Sequence, residues 1–185
     1  MKLIGRTLQL SQSIAPASVT VIISTCVLGL SGCAGDSAQS APAQCDTFRT
    51  MLTVKDRMSQ PAQHFIVGEP ITFELQVTNT TNFNATLTAG STCGGVVFEV
   101  FDNSNQRRFG SMDGVMCIQM TQPRTYASLE ATINAYTWNQ AASDNQVEPG
   151  THSVVANVGQ WVTNAEGQQI DCKVALQKTA SFTIQ

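Results

Sequence analysis

The chain has 185 residues, of which 42% are hydrophobic and only 12% charged, with a formal net charge of −3. That acidic balance argues against a nucleic-acid partner, because such sites are built on basic patches. One apolar run lies near the start, and no later stretch is long enough to cross a bilayer. Lys2 and Arg6 supply a positive leader, and residues 19–30, "VTVIISTCVLGL", form an apolar segment too short for a comfortable span. This pattern predicts a secretory signal over residues 1–32, removed with Cys26 inside it.

Leu30, Ser31 and Gly32 place a branched apolar residue and two small ones directly before Cys33. The stretch resembles the lipobox of bacterial lipoproteins. The resemblance implies that the Cys33 thiol receives a diacylglyceryl group and that the chain is held to a membrane of the cell envelope. In a Gram-negative organism, Ala34 after the cysteine fits lipoproteins of the outer membrane, facing the periplasm. Each buried methylene contributes about 0.8 kcal/mol, so two or more acyl chains make a durable anchor where one does not. Loss of Lys2 and Arg6 leaves eight basic residues against thirteen acidic ones, a balance of −5.

Residues 34–44, "AGDSAQSAPAQ", carry no large apolar side chain. They read as a flexible segment with a reach of about 18 Å, within a tether assigned to residues 33–47. From residue 48 to residue 185 the hydrophobic period is two. In "ITFELQVTN", Ile71, Phe73, Leu75 and Val77 alternate with polar residues, as expected of a half-buried strand. The same alternation is read around Met51 in "RTMLTVK", at Val96, Phe98 and Val100, and at Leu129, Ala131, Ile133 and Ala135. It returns at His152, Val154, Ala156 and Val158, and at Ala180, Phe182 and Ile184. Turn chemistry punctuates these runs at "VGEP", "DNSNQ", "EPG" and "NAEG". The expectation is one all-β domain, an antiparallel immunoglobulin-like β-sandwich of about seven to nine strands.

"GEPITFELQVTNTT" and "VEPGTHSVVANV" resemble strands of bacterial immunoglobulin-like envelope domains. "VFEVFDNSNQRRFG", "YTWNQ" and "VEPGTHSVVANV", in that order, resemble the intracellular proteinase inhibitor (BsuPI) family over residues 67–162. The resemblance implies the same fold and, by the family's name, inhibition of a protease. His152 stands where that family commonly has an aromatic residue.

Four cysteines remain in the exported part, Cys45, Cys93, Cys117 and Cys172, with no CxxC among them. An even count in an oxidising compartment predicts two disulfides, for which three pairings exist. The favoured pairing joins Cys93 to Cys117 across the open end of the "VVFEVFD" and "RRFG" hairpin. Cys45 and Cys172 then link the first strand to the last.

No nucleophile elbow, phosphate loop or HExxH motif is present, and His64 and His152 read as structural or surface residues. Neither an enzyme nor a bound cofactor is predicted. Met112, Met116, Cys117 and Met120 raise a copper site as a rival, since soft sulfur ligands suit copper. Against it, no His or Met follows Cys172 closely, and no metal ligand is assigned. Arg107 and Arg108 follow a predicted hairpin turn, and Trp138 is an aromatic of the kind enriched at binding hot spots. These three are the candidate partner-binding residues. The expected function is non-catalytic binding of an envelope protein or protease, with proteinase inhibition as the version the family name implies. The alternative is an assembly accessory whose edge strand augments a partner's sheet, and a copper-binding lipoprotein ranks third.

Overall fold

The computed structural model describes residues 44–140, 147–164 and 166–185. The predicted signal segment, Cys33 and most of the tether lie outside the described residues. A 3-10 turn over Gln44–Thr47 leads into β1 (Phe48–Lys55), β2 (His64–Phe65), β3 (Ile71–Asn79) and β4 (Ala85–Ala89). There follow β5 (Val96–Asp102), β6 (Arg107–Gly110), β7 (Gln122–Tyr126) and β8 (Ala131–Trp138). The chain closes with β9 (Gly150–Val158), β10 (Trp161–Thr163), β11 (Gln169–Asp171), a single helical turn α1 (Lys173–Leu176) and β12 (Lys178–Ile184). The class is all-β, and the described residues form twelve strands rather than seven to nine. Part of the excess is β2, β10 and β11, each of only two or three residues.

One sheet runs β1-β3-β8 and a second runs β2-β12-β9-β5-β6, antiparallel except where β2 meets β12. They face each other across an aromatic core. Phe73 of β3 lies 6.0 Å from Phe98 of β5 and 5.9 Å from Phe182 of β12, centroid to centroid. The third sheet, β11-β10-β4-β7, is reached by strands that leave the other two. Gly159 is the pivot between β9 and β10, with φ +50°, and a Cβ there would strike the Leu87 side chain. At the other crossover Asn79 is fully buried. Its amide donates to the carbonyls of Phe83 and Ala127 and accepts from Thr81 N–H, tying the turn after β3 to the turn before β8.

The alternation predicted for β3 holds throughout, with Ile71, Phe73, Leu75 and Val77 fully buried. It holds in β9 as well, at His152, Val154, Ala156 and Val158. Full burial of such side chains contributes about 1.5–3 kcal/mol each, so these two strands carry much of the core. Two faces differ from expectation. Met51 is 56% exposed, because β1 turns Phe48, Thr50 and Val54 inward instead. In β8 the expected inward row faces solvent, with Ile133 62% exposed. Its register against β3 sets Thr132, Asn134, Tyr136 and Trp138 opposite Val77, Leu75, Phe73 and Ile71, so those four point to the core side. Leu129 lies in the turn before it, at φ +58°.

Candidate functional site

The β5–β6 hairpin and the loop after it, residues 111–121, hold the sequence-predicted Arg107 and Arg108. Asp102 closes the hairpin turn by accepting N–H bonds from Ser104 at 2.8 Å and Gln106 at 2.9 Å on Oδ1. Asn105 takes the left-handed conformation there, which its short polar side chain tolerates. The Gln106 N–H, followed by Arg108, holds the Asp102 carboxyl below the usual carboxylate range.

Both arginines are engaged. Arg108 donates from Nε to Asp102 Oδ2 at 2.7 Å, and Arg107 donates from Nε to Glu99 at 2.8 Å and from Nη2 to Asp113 at 2.6 Å. These bonds, that to Asp113 first, raise the Arg107 pKa above its ordinary value. The Arg107 guanidinium lies where a Cβ at residue 110 would sit, so Gly110 is what lets the side chain fold back across the strand. Asp113 Oδ2 also accepts from the Gly110 N–H at 2.8 Å, fixing the start of the loop.

The loop is stapled at its far end. Cys93, ahead of β5, is bonded to Cys117 with a Cα separation of 5.4 Å. Beside the bridge, Ile118 N–H donates to Thr92 Oγ1 at 2.9 Å, and Thr92 N–H donates to the Ile118 carbonyl at 2.9 Å. Thus fixed, the loop exposes Val115, Met116, Ile118 and Met120, with Met116 92% exposed. The sequence does not show this apolar surface, because Met112, Met116 and Met120 beside Cys117 read as soft metal ligands. With its sulfur in the bridge, Cys117 offers no thiolate to copper, which removes the softest ligand of that reading. The second bond joins Cys45 to Cys172, clamping the 3-10 turn before β1 to the residue before α1.

Trp138 is not brought to this surface. It is 2% exposed and stacks on Phe109 of β6 at 5.6 Å, an anchor within the sandwich and not on a binding face. Its indole N–H, with Thr132 Oγ1 and Asn134 Nδ2 on the same inward row of β8, has no partner among the described residues. His152 is buried against Phe182, its Nδ1 3.0 Å from the Gly150 carbonyl, and His64 is exposed on β2.

No family model and no curated protein sequence matches the chain. Among solved structures it is similar to the C-terminal domain of wzt, with 7% identity and a TM-score of 0.42 over 75% of this chain and 74% of that one. It is also similar to the CARDB domain of a Pyrococcus furiosus protein, with 11% identity and a TM-score of 0.38 over 76% and 90%. A β-glucosidase from Listeria innocua aligns with 11% identity and a TM-score of 0.38 over 74% of this chain, which spans only 16% of the enzyme. These likenesses concern the fold.

Proposed function

We propose that this chain is a lipid-anchored domain of the bacterial cell envelope that acts by binding a protein partner through the stapled loop after β6. The observation that carries the reading is the loop itself. Val115, Met116, Ile118 and Met120 stand in solvent on a segment held by a disulfide, two backbone-anchored bonds at Thr92 and the Asp113 clasp. An apolar surface pre-ordered in this way loses little conformational entropy on binding, and Met adapts to irregular partner surfaces. Lipidation at Cys33 supplies the location, and the two disulfides suit an oxidising compartment.

Proteinase inhibition is the form of this function that the family resemblance favours. Because Arg107 and Arg108 are tied to Glu99, Asp113 and Asp102, the inhibitory contact is assigned to the loop and not to an arginine entering a trypsin-like pocket. A photo-crosslinking residue at position 116 in intact cells tests the reading. A defined adduct that disappears with Ile118→Asp supports it, and no adduct from positions 115, 116, 118 or 120 contradicts it. A panel of serine, cysteine and metalloproteases then separates inhibition from an assembly role. Release of the Cys33→Ala product from membranes, with loss of palmitate labelling, is the expected result for the anchor.

A further inference from the structure

A sheet edge is a row of unpaired N–H and C=O groups, and stable proteins guard it with charge, proline, bulges or brevity. Among the described residues the sheet edges follow that practice with one exception. β1 carries Arg49 and Lys55, β2 has two residues, and β11 has three and ends in Asp171. β6 carries Arg107 and Arg108 and faces a bulge at Val100 and Phe101, while β7 carries Pro123 and Arg124. The exception is β8, "ATINAYTW". It has eight residues, no charge, no proline and no glycine, and pairs with β3 in unbroken register. Among the described residues it has no other strand neighbour, and no turn or loop backbone bonds to residues 131–138.

We infer that β8 is the surface through which two copies of this chain pair, edge to edge and antiparallel, extending the β1-β3-β8 sheet across a two-fold axis. The occupant follows from charge. A two-fold axis sets an edge against itself, so charged residues on it meet like charges, which is unfavourable. At β1, β6 and β7 the strand would bring arginines or lysines together. At β8 it brings none. Side-chain parity requires the outward row to meet the outward row, and an axis at Asn134 places Ile133 opposite Ala135 and Ala131 opposite Thr137, with the two Ile133 side chains diagonal neighbours within reach of each other. On the same outward face the exposed Ile133 and Met51 lie on either side of Gln76. The inference rests on the edge of β8 and does not depend on the partner proposed for the loop.

Sedimentation of the purified chain carrying Cys33→Ala, with both disulfides formed, tests the pairing over about 1 µM to about 1 mM, the range that reports weak to moderate affinities. Ile133 is exposed, so Ile133→Lys and Ile133→Glu leave the core intact, and circular dichroism checks this for each. The expected result is a concentration-dependent dimer, weakened about tenfold or more in either variant alone and regained when the two are mixed. Arg108→Ala leaves it unchanged. A wild-type monomer across the whole range overturns the inference. So does a dimer indifferent to both substitutions at Ile133, which would place the contact elsewhere, or a Lys and Glu mixture that fails to associate.

Discussion

β6 and β8 are both edge strands, they meet through Phe109 and Trp138, and the chain protects them in opposite ways. β6 is four residues long, carries two arginines clasped by three carboxylates, and ends in a loop held by a disulfide. β8 is twice that length and bare. The difference shows how a sandwich with limited charge distributes it. Ion pairs at the guarded edge fix a loop that presents apolar side chains, and the unguarded edge offers backbone groups.

The contrast is sharpest if the two edges respond differently to substitutions, and the largest effect falls where they share an anchor. Trp138→Ala removes the ring stacked on Phe109 and should cost about 3–5 kcal/mol, loosening both edges together in denaturant unfolding. Retention of full stability would mean that the edges are independent of the core. Next, replacing Cys93 and Cys117 with Ser opens a bridge of sequence separation 24, worth about 3 kcal/mol in the chain-entropy model. Increased amide exchange should then appear in residues 92–121 and leave 131–138 as they were.

Charge at β6 has the smallest effect. Its pairs are partly exposed, so Arg107→Ala with Arg108→Ala should change stability by no more than about 1 kcal/mol. The pH dependence has a definite sign. Asp102 is held below its ordinary pKa, so its contribution is present above the unfolded value near 4 and is lost as pH falls through the lower folded value. Chemical shifts of Ser104 and Gln106 should therefore move only below about pH 4. In Asp102→Asn that acid transition should vanish, while the turn bonds to the remaining side-chain oxygen persist.

The two edges also differ in how far they were legible. β3 and β9 were plain because large apolar residues and polar ones alternate without exception, and the "DNSNQ" turn was plain because Asp and Asn supply the bonds and the left-handed angle it needs. β8 misled because its outward row, Ala131, Ile133 and Ala135, is more apolar than its inward row of Thr132, Asn134 and Tyr136. One residue outweighs the pattern, since burying Trp138 against Phe109 and Phe73 fixes the register of the whole strand. The arginines were placed correctly after the hairpin turn, but their ion pairs join residues 99, 102 and 113 through a fold that spacing does not reveal. The exposed loop is not legible because its methionines beside Cys117 suggest soft metal ligands, whereas that cysteine is bonded to Cys93, 24 residues away.

Amide hydrogen exchange, resolved residue by residue and compared between β6 and β8, tests this account most directly. In the dimer the outward N–H groups of β8 gain partners and those of β6 do not. Across about 1 µM to about 1 mM protein, protection within residues 131–138 should rise with concentration while that of residues 107–110 stays constant. Protection at β8 that is independent of concentration, or that rises equally at β6, would contradict the claim that one edge is guarded and the other is left open for pairing.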